Sequence, residues 1–144
     1  MKRVTKISLA LAVTLPLTAV AALLVFWPSP DERHFASPIP NSAKLLHYTR
    51  SPAGFDVSYV FVFQAADDKL LGQLIKEWSL KPAVAGQDEP ISFVTLRPPA
   101  WWLNQNSLQA IPERYLWIDQ GNERYRSVWV DRSTAKVYAE YGRW

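Results

Sequence analysis

Pro98-Pro99-Ala100-Trp101-Trp102 sets two adjacent tryptophans behind two prolines. The prolines remove two backbone donors and fix the local backbone angle. Paired indoles offer flat faces and an N–H donor each, the chemistry of a platform for a sugar ring or an apolar partner side chain. The competing reading is packing, since a small domain with this many tryptophans must bury most of them.

A second constellation closes the chain, where Arg124, Arg126, Arg132, Lys136 and Arg143 interleave with Tyr125, Trp129, Tyr138, Tyr141 and Trp144. With Glu123, Asp131 and Glu140 among them, the pattern is expected to form cross-strand ion pairs and aromatic contacts. An anionic envelope polymer or an acidic protein partner is the alternative. Trp101, Trp102, Trp129 and Tyr138 are the candidate binding residues from these two segments.

The acids form a third group. Glycan hydrolysis needs two carboxylates about 5–10 Å apart, and Asp56, Asp119, Glu123, Asp131 and Glu140 are the candidates for such a pair. Solvated surface charge is the simpler expectation for each. No other catalytic template is present: the chain has no G-x-S-x-G, H-E-x-x-H, P-loop or G-x-G-x-x-G pattern. Zero cysteines remove thiol nucleophiles, Cys-ligated zinc and iron–sulfur clusters, and the two histidines, His34 and His47, leave little for a metal cage. No catalytic residue, metal or cofactor is therefore assigned.

The elements that position these residues begin with a basic tail and an apolar run. Residues 1–6 carry Lys2, Arg3 and Lys6, and residues 7–27 (ISLALAVTLPLTAVAALLVFW) carry no charge. At 1.5 Å per residue this run spans about 31 Å, enough for a hydrocarbon core of about 30 Å. The basic flank predicts an uncleaved single-pass anchor in the inner membrane, N-terminus inside and residues 28–144 outside. The lipid bilayer is thus the first expected partner. Cleavage after Ala19-Val20-Ala21 is the alternative; it would leave six apolar residues, Ala22 to Trp27, at the start of a secreted chain.

The tail also accounts for the net charge. Of 16 basic residues it holds three, leaving 13 to balance the 13 acidic ones, so the body is formally neutral. A neutral body lacks the usual electrostatic drive toward nucleic acid.

Residues 28–43, with Pro28, Pro30, Pro38 and Pro40, read as a semi-extended spacer, although Phe35 and Ile39 would let part of it wrap against the domain. The domain proper is expected over residues 44–144. Lys44 to Arg50 reads as a strand, Ser51 to Gly54 as a turn, and Phe55 to Ala65 as a central strand with Phe55, Val57, Tyr59, Phe61 and Phe63 on one face. Asp67 can accept from free amides at a helix start. The helix that follows places Leu70, Leu71, Leu74, Ile75 and Trp78 on one stripe and stops by Pro82. Residues 82–90 read as a loop, Ile91 to Leu96 as a short strand, Leu103 to Ile111 as a short helix or turn, and Tyr115 to Ile118 as a strand. Arg124 to Asp131 and Ala135 to Tyr141 read as a hairpin. The economical fold class is α+β, an N-terminal transmembrane helix followed by a two-layer sandwich of an antiparallel sheet and one main helix.

This layout of anchor, Pro-rich spacer ending in Asn41-Ser42-Ala43, alternating strand, capped helix, Pro99-Ala100-Trp101-Trp102 motif and terminal hairpin resembles small bacterial extracytoplasmic domains of no assigned activity, over residues 41–141. The resemblance implies no catalytic residues. The function expected is a membrane-tethered extracytoplasmic binding module, contacting an envelope protein or glycan and no nucleic acid. A small envelope hydrolase using paired carboxylates and a subunit that sequesters another envelope protein are the alternatives.

Overall fold

A computed structural model describes residues 34–53, 56–84, 86, 89–90, 92 and 98–143. The expected anchor, residues 7–27, lies outside them, as does most of the strand expected over Ile91 to Leu96. Among the described residues no helix is long and apolar enough to cross a membrane.

Six strands form one antiparallel sheet: β1 (Ala43–Ala53), β2 (Asp56–Ala65), β3 (Lys81–Pro82), β4 (Glu113–Asp119), β5 (Arg124–Asp131) and β6 (Lys136–Arg143), in the order β1-β2-β6-β5-β4-β3. Among the described residues two short α-helices, α1 (Lys69–Trp78) and α2 (Gln105–Gln109), and a 3-10 turn at Gln120–Asn122 interrupt the strands. The domain is therefore mostly β, with less helix than the α+β expectation implied.

β2 is central because both of its faces are apolar: Phe61 and Phe63 are buried on one side, Val60 and Val62 on the other. β1 continues past the expected turn at Ser51, pairing Pro52 with Val57 and Ala53 with Asp56. Pro52 is tolerated because β1 is an edge strand and needs no donor on its outer side. The β5–β6 hairpin forms around Arg132 to Ala135. There the Asp131 carboxylate accepts from the backbone N–H of Ser133 (3.0 Å) and the hydroxyls of Ser133 and Thr134 (both 2.6 Å), a side-chain clamp that sets the register Asp131 opposite Lys136.

α1 buries Leu70, Leu71, Leu74 and Trp78 against Phe61, Phe63, Val128, Val130 and Val137, the stripe its sequence spacing requires. Asp67 accepts from the first helical amide, Lys69 N, at 3.0 Å. The helix ends at Trp78 because Ser79 turns left-handed (φ 55°) and returns its N–H to Ile75 O. The chain thus leaves the helix before Pro82, which with Lys81 becomes β3 against Tyr115 and Leu116.

Residues 34–43, expected within the spacer, pack on this same face. Phe35 is 7% exposed, stacks on Trp78 at 5.7 Å and meets Phe61 and Phe63 edge-on, while Ile39 and Ala43 flank the core. An aromatic with a waiting hydrophobic slot outweighs the extended preference of the neighbouring prolines.

The opposite face is covered too. Trp102, Leu108 and Ile111 close over Val60, Val62, Trp129 and Tyr138 as a second apolar cluster, with Trp101 and Leu103 at its margin. Asn104 caps α2 by accepting from Ser107 N at 2.9 Å.

Candidate functional site

The four candidate binding residues do come together, but largely as core. Trp129 is fully buried, Tyr138 and Trp102 are nearly so, and Trp102 donates its indole N–H to Ser92 Oγ at 3.0 Å. Edge-on contacts link Trp102 to both Trp129 and Tyr138. Trp101 alone keeps an open flank; its ring stacks on His47 at 5.0 Å, which makes it a lid over the edge of β1.

Three of the five candidate acids, Asp119, Asp131 and Glu140, are engaged in other contacts, and the Asp56 side chain lies outside those described. Asp131 is tied into the hairpin turn, and the Ser133 and Thr134 hydroxyls hold its carboxyl below the usual range. Asp119 is likewise held down, first by the Asn122 side-chain amide at 2.6 Å. Both stay ionised at neutral pH, and neither is poised to donate a proton. Glu123 and Asp131 flank the ends of β5, about 26 Å apart at 3.3 Å per residue, well beyond the separation such hydrolysis needs. Glu140 is fully buried and accepts from Tyr125 Oη at 2.7 Å, while Tyr125 also meets Ser58. Among the described residues no group of three His, Asp or Glu side chains could hold a metal ion.

A different site emerges from the hairpin register. On the face that carries α1, one row across the sheet reads Tyr59, Tyr141, Arg126, Trp117 along β2, β6, β5 and β4. The next row reads Val57, Arg143, Arg124, Asp119. α1 covers the sheet only as far as Tyr141, which its last residue, Trp78, meets edge-on at 5.5 Å. Beyond that point the face opens into a cavity of about 270 Å³ lined by Val57, Tyr59, Arg124, Arg126, Tyr141 and Arg143, with the Gly142 backbone.

Arg124 thus faces Arg143 directly across the ladder, a like-charge pairing that weakens a sheet when nothing bridges it. Arg126 stands beside them, its guanidinium 4.5 Å from the Trp117 ring centroid in a cation–π contact. Burial, and then the charge of Arg124, make its proton easier to lose than an ordinary arginine's. Among the described residues the ion pairs use Lys69, Arg114 and Arg132, and no carboxylate pairs with Arg124, Arg126 or Arg143. Asp119, directly opposite Arg124 across β4 and β5, feels that cation's charge, but its side-chain hydrogen bonds go to Asn122.

The floor of the cavity is a pair of stacked tyrosines. Tyr59 and Tyr141 stack at 5.0 Å, and burial, followed by the proximity of Tyr59 and Tyr48, pushes the Tyr141 phenol well above its ordinary value, keeping it neutral. His34 binds Tyr141 Oη through Nδ1 and Tyr48 Oη through Nε2 (2.9 Å), and its ring lies 4.6 Å from Tyr59. The chain therefore joins the domain at the rim of the arginine cavity.

The opposite end of the sheet shows what paired charge looks like. Arg132 donates to both Glu113 oxygens (2.6 and 2.8 Å) and to Asp68, which keeps it firmly protonated and holds Glu113 below the usual carboxylate range. Overall neutrality thus conceals a segregation, with a cation held in salt bridges at one end and three arginines without one at the other. Sequence reading saw the hairpin arginines but assigned them acid partners; the signal that places them together is strand parity counted back from the Asp131 turn.

No family model, curated protein or solved structure matches this chain.

Proposed function

We propose that this protein is a membrane-tethered extracytoplasmic binding module, anchored through residues 7–27, whose antiparallel sheet with its one main packing helix presents the Arg124/Arg126/Arg143 cavity to an anionic partner. The single observation that carries the reading is the cavity itself: three guanidinium groups on one open face, with no salt bridge among the described residues, above a tyrosine floor. An anion entering it would relieve the opposition of Arg124 and Arg143 and gain charge-assisted hydrogen bonds. Its volume, close to the lower limit of about 300 Å³ for small-molecule sites, suits one small charged group rather than a polymer.

The tether is also shorter than the spacer expectation. With His34 and Phe35 held on the domain, only residues 28–33 separate it from the apolar run, a reach of about 19 Å at 3.1 Å per residue. The test is calorimetric titration of the full chain, held in alkyl maltoside micelles, with phosphate, citrate and acetate at constant ionic strength. Saturable one-to-one binding of at least one anion is expected. Arg126→Ala should weaken it by about 10- to 100-fold, the loss of one charge-assisted contact of roughly 1.5–3 kcal/mol. No saturable binding of any anion would refute the reading.

A further inference from the structure

We infer that the arginine cavity takes the phosphate of an anionic lipid headgroup in the membrane that tethers the chain, an assignment that rests on the tethered-module reading above. Two observations point to this ligand.

The first is the acceptor that the three cations require. Arg124, Arg126 and Arg143 occupy three neighbouring lattice points, two directly opposed and the third two residues along β5 on the same face. A carboxylate holds its two oxygens in one plane, matched to one guanidinium fork; a lipid phosphodiester also has two free oxygens, but carries them on a tetrahedral centre, so that forks can approach from different directions.

The second is where the chain leaves the domain. His34 is fixed to Tyr141 and Tyr48 and lies on Tyr59, and Tyr59 and Tyr141 are cavity walls. Six residues, 28–33, connect that rim to the apolar run ending at Trp27, so the seven steps from Trp27 to His34 span at most about 23–25 Å. The leash is short enough to bring the cavity to the bilayer surface, where basic side chains are drawn to anionic lipid over about one Debye length. Docking would turn this end of the sheet toward the membrane and leave the Arg132 end facing away.

The test uses the full chain in vesicles. The protein has no cysteine, so Gln120→Cys, on the exposed turn between β4 and β5 at the cavity end, gives a unique dye position. Energy transfer to acceptor-labelled lipid reports the height of that turn above the bilayer. Vesicles of phosphatidylcholine alone, with phosphatidylglycerol, and with oleate at matched surface charge are compared, and carbonate washing of each sample checks insertion.

Transfer should rise with phosphatidylglycerol only, fall back in about 0.5 M salt, and return to the phosphatidylcholine level in Arg124→Ala/Arg126→Ala/Arg143→Ala. Arg124→Ala alone, on an exposed side chain, should lose part of the rise with an unchanged melt, which guards against misfolding of the triple variant. An equal rise with oleate would overturn the phosphate assignment in favour of surface charge. No rise in any carbonate-resistant sample would overturn the lipid source; binding of free glycerol phosphate in micelles would then leave the binding module standing with a soluble ligand. Release of the chain by carbonate would instead remove the tether, and the inference with it.

Discussion

Replacing Phe35 with Ala distinguishes a domain that begins before β1 from one hung on a loose spacer. The ring is 7% exposed, stacked face to face on Trp78 and edge-on against Phe61 and Phe63. Truncating a buried Phe costs about 3–5 kcal/mol, and the lower end applies here because residues 34–43 are a connecting segment that can settle into part of the space. At roughly 4–8 °C per kcal/mol for a domain of about 100 residues, the expected fall in Tm is about 12–24 °C. Urea unfolding of the full chain in maltoside micelles, followed by tryptophan emission, gives the free energy directly, since Trp78 loses its stacked neighbour in the variant and its own burial on unfolding. A cost below about 1 kcal/mol, the size of an exposed substitution, would mean that Phe35 is not a core residue and that the leash is longer than six residues.

Three further predictions separate the faces of the sheet. Trp102→Ala should destabilise the domain by about 3–5 kcal/mol, whereas Trp101→Ala, only partly buried against His47 and the cluster margin, should cost less, about 1–3 kcal/mol; equal costs in urea titrations would contradict the assignment of Trp102 to the core and Trp101 to its margin. Gly142→Ala places a Cβ 2.6 Å from Val57 O and 2.8 Å from Tyr125 Oη, a clash with backbone that should cost about 1–3 kcal/mol. An unchanged melt would show that Tyr125 does not cross Gly142. In acid, Asp67, Glu113, Asp119 and Asp131 all have folded pKa values below their ordinary ones of 3.8 or 4.5. Their contribution is present above the unfolded values and is lost as pH falls through the folded ones, so stability should hold from pH 7 to about 5 and drop below about 4. Asp131→Asn should lower the plateau and shallow that drop in urea midpoints measured against pH.

The elements legible in the sequence were those with strong local periodicity. β2 alternates large apolar residues on both faces, α1 carries a single stripe, and Asp131-Arg132-Ser133-Thr134 is a turn with its own clamp, so each announces itself without tertiary information. Phe35 was legible only as an alternative, because a lone aromatic among prolines carries no period; its burial depends on a slot made by Trp78, Phe61 and Phe63 from elements far along the chain. Trp102 and Trp101 are adjacent in sequence and differ only in which of them the sheet's second face accepts. The arginine cavity was half legible. Parity and the turn position place Arg124 opposite Arg143, but composition suggested partners in Glu123, Asp131 and Glu140, which the structure commits elsewhere: Asp131 to its turn, Glu140 to the buried side of β6, Glu123 to a left-handed position before β5.

The most direct measurement of binding at this cavity follows the arginine Nε–H resonances of the full chain during titration with glycerol phosphate. Binding there predicts that Arg124, Arg126 and Arg143 shift together along one saturating curve, while Arg114 and Arg132, which are already engaged with Glu89, Glu113 and Asp68, stay in place. Small, unsaturating shifts shared by every arginine would contradict it, reducing the cavity to ordinary surface charge.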